Sequence, residues 1–201
     1  FMIMGSFEDV DLERFDLQWK TDFLGPVTLM KKAIPIMRNQ EPDKNNIRGN
    51  IINVSSIAGK IPFAYASAYI ASKFALEGLS ETVSDEVKDF GIQINIIEPG
   101  VVKSKFLENT KTIIKENSPY YEIITQWENM SKKLFEATQN LPNDVAEAIL
   151  QCIKDSKSKL RIPVGEDAKL FLEIHVQFID EPQKFKEWFA KEMQKIFKAL
   201  E

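Results

Sequence analysis

Three side chains that could move a proton lie close together in the sequence: Ser56, Tyr69 and Lys73. On a helix, Tyr69 and Lys73 would share one face, one turn apart. A free phenol has a pKa of about 10 and is a poor base at neutral pH, but a nearby ammonium favours the phenolate. We therefore expect Lys73 to lower the pKa of Tyr69. Tyr69 could then exchange a proton with an alcohol or a carbonyl, whose oxygen Ser56 would hold in place.

Protonating a carbonyl oxygen is only half of a reduction. The other half is a hydride, which no side chain supplies, so a nicotinamide cofactor, NADP or NAD, would be needed. The pattern therefore predicts an oxidoreductase that interconverts an alcohol and a carbonyl. The Tyr-x-x-x-Lys spacing is a weak signal alone, and the position of Ser56 at the end of a predicted strand makes it more specific.

Two short strands are predicted to position this chemistry. Ile51 to Val54 and Ile92 to Ile97 are apolar without alternation, which is typical of strands buried on both faces. A helix from about Ser67 to Phe90, stopped by Gly91, connects them. Ligands bind at the carboxyl ends of parallel strands, where Ser56 and Pro99-Gly100 would meet.

The remaining pattern alternates helices and strands. Residues 1–10 are predicted to form a loop before the first helix. A long helix with an apolar stripe is predicted from Leu12 to Gln40, with kinks at Gly25-Pro26 and Pro35. A helical insertion over 104–140, a helix from Pro142 to about Ser156 and a strand from Leu160 to Val164 would follow. This order predicts an α/β fold with a parallel sheet and right-handed crossovers.

Three features leave alternatives open. Aromatic residues of the insertion could line a pocket for an apolar substrate or simply pack a lid. The tail from Gln183 to Leu200 is amphipathic and would pack on the chain's own core or a second subunit, with a membrane surface as the alternative. His175 is the single histidine. We interpret it as packed or exposed rather than as the partner of Ser56 in a hydrolase dyad, because no G-x-S-x-G elbow is present.

Composition excludes several other classes. The 201 residues suffice for one domain, and their net charge of −4 gives no reason to expect a nucleic-acid partner. The single cysteine, Cys152, precludes an intrachain disulfide, and one cysteine with one histidine cannot form the usual zinc site. No apolar run reaches the length of a membrane span. We expect a cytoplasmic protein without metal.

Five segments resemble the short-chain dehydrogenase/reductase family between about Gly5 and Lys169. They are N-V-S-S ending at Ser56, Y-I-A-S-K from Tyr69 to Lys73, P-G-V-V-K-S from Pro99 to Ser104, and V-A-E-A-I followed by R-I-P-V-G. The overall pattern is nearest to 17β-hydroxysteroid and retinol dehydrogenases.

The resemblance implies roles and an architecture. Ser56, Tyr69 and Lys73 would be catalytic, and Tyr69 and Lys73 would also bind the cofactor, Lys73 through the ribose hydroxyls. Further cofactor contacts, to the nicotinamide carboxamide, would come from Pro99, Gly100, Val102 and Ser104. We expect one domain over 1–201, the C-terminal part of a Rossmann-like doubly wound parallel sheet with about three strands and flanking helices. The lid would cover about 104–140 and a helical tail about 166–201. A small apolar substrate and a homodimer or homotetramer are expected.

Two departures from the family pattern stand out. In D-F-L-G, Asp22 occupies the place of a catalytic Asn whose backbone carbonyl holds a water of the proton relay. Asp22 keeps that carbonyl and adds a charge that could tune Tyr69 and Lys73 or could be solvated. The glycine-rich dinucleotide loop T-G-x-x-x-G-x-G and the N-N-A-G motif are absent from these residues.

We expect the first part of the family fold to lie upstream of Phe1. The isolated chain would then have an unpaired apolar sheet edge, and we expect it to aggregate.

The two departures from the family pattern also leave a second hypothesis open. Asp22 and the missing loop favour a catalytically silent binding or assembly protein. The complete Ser56, Tyr69 and Lys73 set favours an enzyme.

Overall fold

A parallel sheet forms the centre of the computed structural model, which describes residues 1–155 and 157–199. Strands β2 (Gly49–Val54), β3 (Ile92–Pro99) and β5 (Arg161–Val164) pair in the order β2-β3-β5. All pairs are parallel, with Val54 opposite Ile97 and Pro99 opposite Val164. The carboxyl ends of the three strands therefore lie along one edge, as predicted.

Helices cover both faces of this sheet. Helices α2 (Gly25–Arg38) and α3 (Ser67–Val87) pack on one face through a cluster that includes Met30, Ile51 and Ile94. Helix α5 (Pro142–Lys154) packs on the other face around Ile97 and Cys152. Pro142 occupies the start of α5, as its fixed φ favours. The prediction of an α/β, Rossmann-like, doubly wound arrangement is confirmed.

Strand β3 is buried almost throughout, but the prediction that β2 is buried on both faces is wrong. Ile51 and Asn53 are buried, whereas Val54 is 44% exposed. The cause is position, because β2 is the edge strand of the described sheet and β3 is its centre. Apolar sequence alone does not distinguish these two places.

The predicted helix from Leu12 to Gln40 consists of three parts. Helix α1 (Leu12–Trp19) begins where the Asp11 side chain accepts a hydrogen bond from the N–H of Arg14. A π-helical turn over Lys20–Leu24 follows, and α2 then runs to Arg38. Pro26 has no N–H and cannot continue the ordinary helical hydrogen bonds, which fits a widened turn at this point.

Two further sequence predictions need correction. Residues 1–10 contain a short strand, β1 (Ile3–Met4), which pairs in parallel with β4 (Lys111–Thr112). The insertion over 104–140 is helical only in α4 (Tyr121–Ala137), because the segment before it is mostly turns and loop. Helix α3 ends close to the predicted position, and Gly91 takes a φ of 72° that favours glycine.

The C-terminal helices α6 (Glu166–Gln177) and α7 (Pro182–Ala199) fold back on the chain. Phe185, Trp188 and Phe189 of α7 pack with Phe171 of α6 and with Ile61. Of the alternatives left open for this stripe, packing on the chain's own core is therefore the one that the structure shows. Ser156, Leu200 and the side chain of Phe197, which also belonged to the predicted helices, lie outside what the structure describes. In 1–155 and 157–199, no helix is both long and apolar enough to cross a bilayer.

Candidate active site

The turn after β2 and the first turn of α3 bring Ser56 and Tyr69 together. Ser56 starts a short 3₁₀ turn, and its side chain accepts a hydrogen bond of 3.1 Å from the N–H of Ala58. Tyr69 is only 6% exposed and packs against Phe106, with the ring centroids 5.8 Å apart. The side chains of Ser56 and Tyr69 line the same cavity.

Lys73 lies one turn further along α3, on the same side as Tyr69. Its Nζ donates a hydrogen bond of 3.1 Å to the carbonyl oxygen of Val54, at the end of β2. The same atom lies 5.7 Å from the centroid of the Tyr69 ring. Burial lowers the pKa of Lys73, while Asp22 and Glu77 oppose that change. The four-residue spacing thus places the ammonium beside the phenol.

The expectation that Lys73 lowers the pKa of Tyr69 is wrong for the chain as described. Burial raises the pKa of the Tyr69 phenol well above its usual value, and the charge of Asp22 adds to the increase. The Ser56 hydroxyl lowers the pKa of Tyr69, but this effect is smaller than that of burial. A buried phenolate loses its hydration, so the neutral phenol is favoured. Spacing predicts the neighbour of a side chain but not its burial.

Asp22 lies in the π-helical turn and interacts with the same group. Gln18 donates a hydrogen bond of 2.8 Å to Asp22 Oδ2, while its own Oε1 accepts from the N–H of Ile3 at 2.7 Å. Burial raises the pKa of Asp22, and the Lys73 ammonium partly offsets the rise. Of the two readings left open for Asp22, tuning of Tyr69 and Lys73 is therefore favoured over simple solvation. The Asp22 carbonyl has no donor four residues further along the chain, because residue 26 is proline and has no N–H.

A cavity of about 410 Å³ opens over the carboxyl edge of the sheet. Ser56, Tyr69, Pro99, Gly100, Val102 and Ser104 all line it. Lys73 and Asp22 lie instead in a neighbouring depression beside Val54. Most of the predicted site residues therefore line one cavity. The two charged residues, Asp22 and Lys73, lie outside it, beside the end of β2.

The lining of the cavity is mainly apolar and aromatic. Phe106, Trp127 and Phe135 contribute from the predicted lid, whereas Phe171, Phe189 and Met193 contribute from α6 and α7. Between the two interpretations of the lid aromatics, pocket lining is therefore favoured. Tyr120 does not line the cavity. Its hydroxyl donates an exposed hydrogen bond of 2.7 Å to Glu8 Oε1. His175 lies against the Phe185 ring, as a packed histidine would.

A buried cluster of charges behind the site was missed in the sequence. Glu77 and Glu98 are each 3% exposed and share Arg161, whose Nε lies 3.0 Å from Glu77 Oε2 and 3.7 Å from Glu98 Oε1. Burial, followed by repulsion from Glu77, raises the pKa of Glu98 to about 7. Glu98 directly precedes Pro99-Gly100, but no spacing rule links it to Glu77 or Arg161.

A second missed group holds the chain just after β3. Asp167 and Asn140 bind the backbone of Val101, which lies between Gly100 and Val102 on the wall of the cavity. Their distances along the chain, 66 and 39 residues, leave no local signal that could have identified them.

Comparisons with known proteins identify relatives along most of the chain. Residues 2–114 match the family model described as short chain dehydrogenase. The uncharacterized oxidoreductase YusZ of Bacillus subtilis is 35% identical over 173 residues, which cover 84% of this chain and 59% of that protein. The oxidoreductase BOA17 of Botryotinia fuckeliana is 29% identical, covering 82% of this chain and 58% of that protein.

A solved structure has the same fold. The short-chain dehydrogenase from Streptomyces avermitilis aligns with a TM-score of 0.74 and 28% identity, over 96% of this chain and 67% of that one. The chain thus spans between 58% and 67% of the length of these three relatives.

Proposed function

The chain belongs to the short-chain dehydrogenase family, and on this basis we propose that it interconverts an alcohol and a carbonyl with NAD or NADP. One observation carries the proposal. The side chains of Ser56 and Tyr69 line the same cavity as the end of β3 at Pro99 and Gly100. A reacting oxygen held by Ser56 and Tyr69 would therefore face a surface suited to a flat ring.

Tyr69 serves as the proton donor in the direction of carbonyl reduction. Its raised pKa keeps the phenol protonated at neutral pH, which is the form that can give a proton to a carbonyl oxygen. Ser56 hydrogen-bonds that oxygen and fixes its position. The cofactor, when bound, supplies the hydride to the carbonyl carbon. The carbonyl becomes an alcohol, and Tyr69 is left as a phenolate beside the Lys73 ammonium.

Lys73 and Asp22 return the proton to Tyr69. The pKa of Lys73 is lowered by burial, which makes its ammonium a readier proton donor to a phenolate. The Asp22 carbonyl, which has no N–H donor at Pro26, would hold a water molecule that connects Lys73 to solvent. Asp22 therefore keeps the backbone part of the relay even though its side chain differs from the family's Asn.

The residues fit a nicotinamide cofactor at one end of its binding site. Among the described residues, Lys73 Nζ donates one hydrogen bond, to Val54, and an ammonium has three donors, so it retains donors for ribose hydroxyls. Gly100, Val102 and Ser104 line the cavity. The side chains lining the cavity carry no formal charge, which suits the nicotinamide end rather than the phosphates.

We assign the substrate to the class of apolar, uncharged alcohols and carbonyls. Aromatic and aliphatic side chains form most of the cavity, and its polar side chains are Ser56, Tyr69, Ser104 and Ser131. Burying a charged group there without a partner would be costly. The reacting oxygen would contact Ser56 and Tyr69, while the apolar remainder would extend toward α4 and α7.

Oxidation of NADH and NADPH by the natural full-length protein tests this proposal. A panel of apolar ketones and aldehydes should be reduced, and a charged keto acid should not. Tyr69→Phe should lower kcat by about 10²- to 10⁴-fold, the usual contribution of general acid–base catalysis. Tyr121→Phe removes an exposed phenol from the lid outside the cavity and is the matched control.

The outcomes separate the enzyme from the catalytically silent alternative. Activity that survives Tyr69→Phe would refute the assigned mechanism. A full-length protein that binds NADH or NADPH but reduces nothing would favour a binding role. A protein that binds neither would overturn the cofactor assignment itself.

A further inference from the structure

The backbone just after β3 is held by side chains from two distant parts of the chain. The N–H of Val101 donates a hydrogen bond of 2.8 Å to Asp167 Oδ2, in the first turn of α6. The carbonyl oxygen of Val101 accepts from Asn140 Nδ2 at 2.9 Å and from Thr138 Oγ1 at 2.8 Å. Both polar groups of this residue's backbone are therefore fixed by side chains rather than by a strand.

Asp167 and Asn140 also bind each other. Asn140 Nδ2 donates to Asp167 Oδ1 at 2.7 Å, so one carboxylate joins the Val101 backbone to the Asn140 amide. The backbone carbonyl of Asn140 accepts from the N–H of Lys103 at 2.9 Å, two residues further along the same loop. Hydrogen bonds to a carboxylate are stronger than neutral ones, so Asp167 is the anchor of this group.

Two glycines leave the space that this arrangement needs. A Cβ on Gly100 would overlap the carboxylate of Asp167. Gly165 has a φ of 101°, which favours glycine, and a Cβ there would overlap Asn140 and Asp167. The Pro99-Gly100 pair is thus coupled to Asp167 by shape as well as by hydrogen bonds.

We propose that Asp167 and Asn140 are positioning residues that hold the Gly100–Val102 backbone in the shape that receives the nicotinamide ring. The inference rests on the proposed function. Val101 and Val102 line the cavity together with Ser56 and Tyr69, so a shift of the Val101 backbone would move this wall relative to the proton donor. Misplacement of a reacting ring by about 1 Å can lower a rate about 10²-fold.

An ordinary structural role for Asp167 is the competing explanation. Acidic residues in the first turn of a helix interact favourably with its dipole, and α6 carries both Glu166 and Asp167 there. Glu166 is exposed and pairs with Lys169, so it serves the helix without reaching the loop. Glu166→Gln removes the same charge from the same turn and is therefore the matched control.

Ligand binding to the full-length protein separates the two explanations. Binding of NADH and NADPH, followed by the fluorescence of the nicotinamide, would be compared with binding of ADP-ribose and 2′-phospho-ADP-ribose, which lack that ring. Asp167→Ala should weaken binding of the reduced cofactors by at least ~10-fold, as expected when charge-assisted hydrogen bonds are lost. Binding of the two ring-free ligands should stay within about twofold. Thr138→Val, which removes one of two donors to the Val101 carbonyl, should give a smaller effect of the same kind.

Each outcome is decisive. Equal loss of all four ligands in Asp167→Ala would show that Asp167 supports the fold only and would overturn the inference. Unchanged binding of the reduced cofactors, or the same loss in Glu166→Gln, would also overturn it. If the unmodified protein binds none of the four ligands, the proposed function fails first, and this result is distinct from a failure of Asp167 alone.

Discussion

Glu98→Gln should make the protein more stable at alkaline pH, although it removes a charge beside an arginine. Glu98 is 3% exposed, and its Oε1 has no hydrogen-bond partner within the described ranges. Arg161 Nε lies 3.7 Å from Glu98 but 3.0 Å from Glu77, so the arginine is already paired. Burying a second carboxylate next to Glu77 is unfavourable, and a neutral amide of the same shape removes that cost.

The expected size follows from proton linkage. The pKa of Glu98 is raised from 4.5 to about 7, and each tenfold change in proton affinity is worth about 1.4 kcal/mol, which gives about 3 kcal/mol in total. Because the folded pKa is raised, the folded state holds the proton more tightly than the unfolded state. The contribution of Glu98 to the unfolding free energy is therefore fully present below the ordinary pKa of 4.5, and it is lost as the pH rises toward about 7. Above that value the loss is constant.

Urea unfolding of Glu98→Gln and the unmodified protein measures this loss. The stability difference in favour of the variant should grow by about 2 kcal/mol between about pH 5.5 and about pH 8.5, because part of the transition lies below that range. Glu86→Gln, on the exposed side of α3, controls for the removal of one carboxylate. A difference between Glu98→Gln and the unmodified protein that does not change with pH would refute the reasoning.

Glu77→Gln should have the opposite effect and completes the comparison. It breaks the close pair with Arg161 and leaves a partly buried guanidinium without its buried acceptor at Nε. We expect a loss of about 3 kcal/mol in unfolding free energy. A stabilising effect of Glu77→Gln would mean that Arg161 depends on Glu81 rather than on the buried carboxylates.

The remaining predictions concern the proton relay and two glycines. Asp22→Asn should lower the pKa of Tyr69, because the Asp22 charge contributes to raising it. Alcohol oxidation needs the phenolate as base, so the acidic limb of kcat/KM for this reaction should move down by up to about one pH unit. An unchanged pH profile would contradict the coupling of Asp22 to Tyr69. Gly59→Ala should destabilise the protein by about 1 to 3 kcal/mol in a thermal melt, because its Cβ would lie 2.7 Å from Glu77 Cγ. Gly78→Ala, with open space at the same atom, should stabilise α3 by about 0.5 to 1 kcal/mol, and equal effects of the two changes would refute the packing argument.

The sequence alone predicted the local secondary structure around the site. The four-residue spacing of Tyr69 and Lys73 placed both on one side of α3, and Gly91 marked the end of that helix. The apolar run from Ile92 to Ile97 identified the central strand. These features depend on contacts between residues a few positions apart, which composition and periodicity describe well.

Only the tertiary structure decided the state of the groups in the site. The burial that raises the pKa of Tyr69 and the contact of Asp167 with the Val101 backbone both depend on how distant elements pack. The same holds for Glu98, whose carboxyl is unusual only because Glu77 and Arg161 are brought to it from other elements. A sequence determines which side chains are present and their local spacing. Their hydration and their distant neighbours follow from the packing of the whole chain, and these set the pKa values and the shape of the cavity.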